Sequence, residues 1–161
     1  VALAGEYGAS VEAEIGVVTG HEGKVFEIAS QEDAYTDPEL AAEFVKATGV
    51  DALAASVGTV HGFYTTKPNL DFDRIQRIKE LTGVPLVMHG GSGISREDTQ
   101  RAIRCGIRKI NYFSYMSYAG VQGVKRLLAE REVKYFHDLA NAAVDAMEED
   151  VLQAMAMFAL E

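Results

Sequence analysis

Two histidines, each followed by glycine, are the side chains in this sequence best placed to do chemistry. His61 follows the apolar segment Val50–Val60, and His89 follows Val84–Met88 and opens the glycine-rich segment Gly90–Gly93. Both apolar segments are typical of buried parallel strands, and the 28 residues from one histidine to the other span about one strand-helix unit. The two imidazoles can therefore approach one point, where a carboxylate would complete a zinc set. The glycines can wrap an anion such as phosphate. The alternative is a pair of turns with hydrogen-bonded histidines.

Acidic residues could supply the carboxylate. Residues 10–18 alternate between apolar and other side chains, which predicts a strand with Glu12 and Glu14 on the face opposite the apolar one. Inside a barrel these carboxylates would attract a cation, whereas on an edge strand they would be solvated. Glu22 lies in the following loop, 19–24, which contains two glycines.

Alternating strands and helices must position these side chains. The patterns predict strands that start near residues 11, 51, 85 and 107, each followed by a helix, and a final helix from about 135 to 160. This order predicts an α/β fold with a parallel sheet and right-handed crossovers. Four such units are half of an eight-stranded TIM barrel, which needs about 250 residues. We therefore expect residues 1–161 to form one domain, equivalent to half of a barrel.

Capping residues mark the predicted helices. Asp37-Pro38 predicts a helix start and Gly49 its end, and Ser95 predicts the start of another helix. The final helix carries a stripe of apolar residues that predicts a packing face. The stripe consists of Val144, Met147, Val151, Met155 and Phe158.

Composition excludes two classes of partner. The chain has 161 residues and a formal net charge of −9, which disfavours nucleic acid and anionic membranes because both are negatively charged. No segment is long and apolar enough to span a bilayer, and the single cysteine, Cys105, fits a reducing compartment. We therefore expect a cytoplasmic protein, in which a phosphate ligand would be held by backbone N–H groups, a helix N-terminus or a metal.

Four motifs in this order resemble one enzyme family. They are Val11–Gly16, Gly58–Gly62, Met88–Gly93 and Lys109–Ser114. Together they are similar to the class II, zinc-dependent aldolases of fructose and tagatose bisphosphates, over essentially the whole chain. The resemblance implies a TIM barrel, zinc as cofactor, and cleavage or formation of ketose bisphosphates through the enediolate of dihydroxyacetone phosphate. It also implies that this chain corresponds to the C-terminal half of such an enzyme.

The resemblance implies roles for individual residues. It makes His61 and His89 zinc ligands, Glu14 an acidic neighbour able to ligate the metal, and Glu22 the acid that moves the carbon-bound proton. The residues implied to hold the phosphate, in some members beside a monovalent cation, are Gly62, Gly90, Gly91 and Ser92. Those implied to complete the phosphate and enediolate contacts are Asn111, Tyr112, Phe113 and Ser114.

One family feature is missing, and two alternatives stay open. The family's aspartate-histidine pair, which includes a further zinc ligand, lies on an earlier strand that this chain lacks. We therefore expect the chain alone to bind zinc weakly and to show little aldolase activity. One alternative is a metal-free TIM-barrel sugar-phosphate isomerase, and the other is a non-catalytic half-barrel that dimerises through exposed strand edges. For the aldolase we expect sugar phosphates as small-molecule partners and a homo-oligomer.

Overall fold

Strands and helices alternate along the chain, as the sequence predicts. The computed structural model describes residues 1–16, 35–60, 62–64 and 68–160. Within these ranges the elements are, in chain order, α1 (Ala2–Glu6), β1 (Glu12–Ile15), α2 (Pro38–Thr48), β2 (Ala52–Ala55), α3 (Phe72–Thr82), β3 (Leu86–Met88), α4 (Arg96–Cys105), β4 (Ile107–Ile110), α5 (Ser114–Glu130) and α6 (Phe136–Phe158). None of the described helices is both long enough and apolar enough to cross a bilayer.

The sheet has four parallel strands in the order β1-β2-β3-β4. Strand neighbours in space are therefore also neighbours in sequence, as expected for successive strand-helix units. Leu53, Leu86 and Ile107 are register partners on one face of the sheet and are nearly fully buried. Ile75 and Ile78 of α3 pack against them in the same apolar core. The helices thus cover this face of the sheet.

The predicted helix caps are present. The Asp37 carboxylate accepts a hydrogen bond from the Leu40 N–H at 2.8 Å, with Pro38 in the first turn. Gly49 ends the same helix in the left-handed conformation, at φ 67°, where a side chain would be strained. At the start of α4, the Ser95 hydroxyl accepts from the Asp98 N–H. These caps fix where each helix meets the sheet.

The strand predicted over Val50–Val60 is shorter in the structure. It ends at Ala55, because the next backbone groups bond outside the sheet: the Ser56 N–H donates to the Thr36 hydroxyl, and the Thr36 N–H donates to the Ser56 carbonyl. The residues after Ala55 stay buried although they are no longer in a strand. The segment therefore leads into the loop region as packed, irregular backbone.

The predicted packing stripe on the final helix is confirmed only in part. Met147 lies against Gly120 of α5 and Phe158 against Tyr112, but Val144 and Met155 are 58% and 61% exposed. The buried residues of α6 are Ala146 and Ala154. Gly123 of α5 lies so close to α6 that a Cβ there would be 2.7 Å from the Cβ of Ala146. Small residues, which let two backbones approach closely, therefore decide which face of α6 packs.

Candidate active site

The face of the sheet turned away from the helices carries acidic and basic side chains. Glu14 pairs with Ala54, Ala54 with Val87, and Val87 with Lys109, so these four residues share that face. Side chains two residues apart on a strand point the same way. Glu12 therefore joins Glu14 on β1, and His89 follows Val87 at the end of β3.

These side chains meet in one group, which we call the carboxylate-histidine cluster (Glu12, Glu14, His89 and Lys109). His89 lies between the two acids, with its Nε2 atom 3.3 Å from Glu12 Oε1 and its Nδ1 atom 3.4 Å from Glu14 Oε1. Lys109 Nζ is 2.8 Å from the other oxygen of Glu12. β1 is an edge strand of the described sheet and both acids are exposed, as in the edge-strand alternative, yet each acid also contacts His89 across the sheet.

The charges around Glu12 favour its ionised form. Partial burial raises the pKa of its carboxyl, but hydrogen bonds and charge attraction from Lys109 and His89 outweigh burial and hold the pKa below its usual value. Glu12 thus remains a carboxylate and can accept a hydrogen bond from the Nε2–H group of His89. In that tautomer the Nδ1 lone pair points towards Glu14.

The separation of His89 Nδ1 from Glu14 Oε1 fits two ligands of one metal ion. Ligands about 2.0–2.1 Å from a tetrahedral zinc lie about 3.3 Å apart, close to the observed 3.4 Å. Within the described ranges, no group of three or more histidine, cysteine, aspartate or glutamate side chains is placed to hold one ion. The described residues therefore supply two donors of the types that zinc accepts, and no third donor beside them.

Beside the cluster, Gly90–Gly93 form the glycine loop, which touches two other segments. Gly90 has φ 68°, and a Cβ there would overlap the backbone carbonyl of Val60. A Cβ at Gly91 would overlap the side chain of Ile110, and its N–H donates to the Asn111 carbonyl at 3.0 Å. Glycine at these two positions therefore allows the loop to lie directly against the segment that follows β2 and against the end of β4.

Ser92 lies where the glycine loop meets the N-terminus of α5. Its hydroxyl is buried and accepts hydrogen bonds from the N–H groups of Phe113 and Tyr115, at 3.3 and 3.4 Å. These N–H groups have no partner within the helix, and a helix N-terminus favours negative charge. Among the described residues, the Ser92 hydroxyl accepts these two hydrogen bonds and donates none. It can therefore donate to an anion at this position.

Tyr112 directs its side chain to α6. Its hydroxyl donates to Asp150 at 2.8 Å, and its ring meets Phe158 edge-on at 6.0 Å between centroids. Burial, the bond to Asp150 and the nearby negative charge raise the pKa of the Tyr112 hydroxyl, so it stays a donor. The ring also lines a cavity of about 640 Å³ between α6 and the N-terminal end of α4, which Gly93 borders. The side chain of Tyr112 thus contacts α6, and only its backbone lies with Asn111 and Ser114 beside the glycine loop.

Comparison with known protein families assigns the chain that carries these residues to a family. The family model for class II fructose-bisphosphate aldolase matches residues 1–161. The chain belongs to the class II fructose-bisphosphate aldolase family. Solved structures agree with this assignment. The YdjI aldolase from Escherichia coli K12 is 36% identical, with a TM-score of 0.80 over 98% of this chain and 52% of that one.

Two further structures support the same fold. A protein assigned as a fructose-1,6-biphosphate aldolase in Coccidioides immitis is 32% identical, with a TM-score of 0.78, and the match covers 98% of this chain and 54% of the other. The fructose-bisphosphate aldolase of Campylobacter jejuni is 22% identical with a TM-score of 0.72, covering 96% and 53%. The chain therefore spans about half the length of these aldolases and has an α/β fold that matches their TIM barrels.

The structure brings together some of the residues that the aldolase resemblance singled out. His89 and Glu14 are neighbours, and Gly90, Gly91 and Ser92 follow directly on from His89. Gly62 is buried at φ 95° at the described end of the β2 segment. Glu22 and His61 lie outside the described residues.

The residues after β4 line up beside the glycine loop. The Asn111 N–H donates to the Met88 carbonyl at 2.9 Å, while its side chain is exposed. Phe113 is half-exposed and immediately precedes α5, which begins at Ser114. The backbone from Asn111 to Ser114 therefore lies beside the glycine loop.

Sequence reasoning gave no role to three residues that shape this site. Glu12 was placed on one face with Glu14, but its contact with His89 was not predicted. Lys109 lies in a motif that resembles the family, and its position in β4 predicts the inward face. Tyr64 gives no sequence signal, yet its hydroxyl contacts both Val60 and Gly90.

Proposed function

We propose that this chain is the C-terminal half of a zinc-dependent class II aldolase that cleaves or forms ketose bisphosphates. The observation that carries the proposal is the position of His89, held between Glu12 and Glu14 and continuous with the glycine loop. Membership of the aldolase family and coverage of about half of the solved aldolases support it. The single domain would then supply four strands of an eight-stranded barrel.

In this proposal the glycine loop and the start of α5 hold the phosphate of dihydroxyacetone phosphate. The Ser92 hydroxyl would donate to a phosphate oxygen, and the N–H groups at the N-terminus of α5 would favour its negative charge. Gly62 and Gly90 would let the backbone approach the ligand closely, and a monovalent cation could share the phosphate. A chain with net charge −9 can thus bind an anion, because local donors do so without a basic surface.

The residues present fit zinc in part. His89 and Glu14 would hold the ion, with His61 as the further ligand that the resemblance implies. When bound, zinc supplies a Lewis acid for the substrate carbonyl. Glu12 would act on His89 rather than on the metal, since its carboxylate accepts from Nε2 and so leaves Nδ1 unprotonated.

The proposed cleavage step is a retro-aldol reaction. A base removes the proton of the C4 hydroxyl, the C3–C4 bond breaks, and C4 leaves as the aldehyde. The electron pair of the broken bond stays with the three-carbon part as an enediolate, which then takes a proton at C3 to give dihydroxyacetone phosphate. We assign that proton transfer to Glu22, while the base for the C4 hydroxyl would come from the other half of the barrel.

A test compares the full-length protein that this proposal implies with the 161-residue chain. We expect the full-length protein to cleave a ketose bisphosphate, to lose activity with a chelator and to regain it with Zn²⁺. The chain alone should bind zinc weakly and show little activity, because the described residues supply only two ligands. Activity that persists in chelator would refute zinc dependence and favour the metal-free isomerase. A full-length protein inactive on every ketose bisphosphate, with or without zinc, would refute the aldolase proposal.

The oligomeric state, location and partners of the protein follow from the aldolase proposal. We propose a cytoplasmic homo-oligomer whose partners are small sugar phosphates, without nucleic acid or membrane. The net charge of −9 supports the exclusion of anionic polymers. Sedimentation of the full-length protein should show a species larger than a monomer, and a monomer at working concentrations would contradict the oligomer.

A further inference from the structure

The Tyr64 hydroxyl joins two segments that border the candidate active site. It accepts a hydrogen bond from the Val60 N–H at 3.2 Å and donates one to the Gly90 carbonyl at 2.9 Å. Val60 closes the buried segment that follows β2, while Gly90 is the first residue of the glycine loop. One side-chain oxygen therefore connects the exit of β2 to the loop that follows β3.

The same two segments also touch through their backbones. A Cβ at Gly90 would overlap the Val60 carbonyl, so no side chain separates them. The Tyr64 ring covers the far end of the loop as well, because a Cβ at Gly93 would lie 3.2 Å from its Cδ2 atom. The ring packs against the apolar core, which restricts where the hydroxyl can go. Tyr64 thus contacts the first and last glycines of the loop from one side.

The environment keeps this hydroxyl protonated. Burial raises the pKa of Tyr64 to about 12, although the hydrogen bond from Val60 acts in the opposite direction. A neutral hydroxyl both donates and accepts, whereas a phenolate could not donate to Gly90. The bridge is therefore complete throughout the physiological pH range.

We propose that Tyr64 is a positioning residue, whose hydroxyl fixes the glycine loop against the exit of β2 in the geometry that binds substrate phosphate. This inference rests on the proposed function for the identity of the ligand, but not for the tether itself. Without the hydroxyl, the Val60 N–H and the Gly90 carbonyl both lose a partner in a partly buried place. The loop then gains freedom that phosphate binding must remove.

The test uses Tyr64→Phe, which removes the hydroxyl and keeps the ring against Gly93. Tyr35→Phe is the matched control, because the Tyr35 hydroxyl also lies beside the segment after β2, at Gly58, and also donates to a backbone carbonyl, but that of Asn69 at 2.9 Å rather than one in the glycine loop. In the full-length protein we expect Tyr64→Phe to raise the Kd for dihydroxyacetone phosphate about tenfold. Tyr35→Phe should leave this Kd unchanged.

A second measurement does not depend on any ligand. The Gly91 N–H donates to the Asn111 carbonyl, so its hydrogen exchange reports how firmly the glycine loop is held. We expect faster exchange at Gly91 in Tyr64→Phe than in the wild type or in Tyr35→Phe. If the wild type does not bind dihydroxyacetone phosphate, the proposed function fails, and the exchange rates alone then decide for or against the tether.

The contrary results are equally definite. A merely structural Tyr64 would lower the melting temperature in Tyr64→Phe while the Kd and the Gly91 exchange rate stayed at their wild-type values, and this would overturn the proposal. An equal change of Kd in Tyr64→Phe and Tyr35→Phe would overturn it too, because the effect would not be specific to the loop.

Discussion

Side chains build the carboxylate-histidine cluster, whereas backbone groups and one tyrosine hold the glycine loop beside it. In the cluster, Lys109 and Glu12 are 54% and 31% exposed, so water and salt reach the ion pair that joins them. In the loop, Gly91 is bonded through its backbone, and Gly90 lies directly against the Val60 carbonyl. The two regions are continuous in the chain, since His89 belongs to one and Gly90 to the other.

This difference shows how one site can combine side chains that can change partners with a loop whose backbone is fixed. Exposed ion pairs contribute little to folding stability and can change partners, which suits residues that would exchange contacts when a metal binds. Backbone contacts fixed by close approach cannot adjust without moving the strands themselves. We therefore expect substitutions at the loop glycines to lower folding stability, and substitutions in the cluster to weaken zinc binding with little loss of stability.

The largest effect on stability should come from Gly90→Ala. The substitution places a side chain at φ 68°, which costs about 1–2 kcal/mol, and drives its Cβ into the Val60 carbonyl, which adds about 1–3 kcal/mol. We expect the free energy of unfolding to fall by about 3 kcal/mol, measured by urea denaturation of the 161-residue chain.

Gly83→Ala is the control for Gly90→Ala. Gly83 has nearly the same φ, 70°, but a Cβ there meets no atom within 4 Å. Its cost should therefore be limited to the backbone conformation, about 1 kcal/mol. Equal losses for the two substitutions would show that the contact with Val60 does not hold the glycine loop.

The next largest effect should be on zinc binding in the cluster. In the full-length protein we expect Glu14→Gln to weaken zinc affinity by more than about 100-fold, because it removes a ligand. Glu12→Gln should weaken it only about 10-fold, because Glu12 acts by orienting His89. Competition with a chromophoric chelator measures both affinities.

Glu39→Gln is the control for both zinc variants. Glu39 also forms an exposed ion pair, with Arg77 at 3.0 Å, but on α2 rather than in the cluster. The zinc affinity of the Glu39→Gln variant should equal that of the wild type. If Glu12→Gln weakened zinc binding as much as Glu14→Gln, Glu12 would be a ligand rather than an orienting residue.

Most of the fold could be predicted from the sequence because its signals are local. Asp37-Pro38 and Ser95 cap helices through atoms only three residues away. The apolar runs and the alternation in β1 depend only on neighbouring residues, and together they predicted the parallel sheet. The pairing of Glu14 with His89 could also be predicted, since strand ends in a parallel sheet meet at one edge.

What could not be predicted depends on contacts between distant segments. The bridge from Tyr64 to Gly90 spans 26 residues and leaves no periodic pattern. The packing face of α6 was predicted from large apolar residues, of which Met147 packs against α5, but the close approach at Gly123 adds Ala146 and leaves Val144 exposed. In both cases the deciding contact joins two segments that are distant in sequence, and neither segment encodes it alone.

The smallest effect should follow Lys109→Met, which tests whether the cluster is as loosely held as its exposure indicates. The change removes the ion pair with Glu12 but keeps most of the aliphatic stem, so the free energy of unfolding should fall by less than about 1 kcal/mol. In 1 M NaCl the difference from wild type should nearly vanish, because salt screens exposed charges. Arg77→Met, which breaks the exposed pair with Glu39, should behave alike. A loss of more than about 2 kcal/mol that salt does not reduce would mean that Lys109 is a structural part of the cluster, and the contrast with the glycine loop would no longer hold.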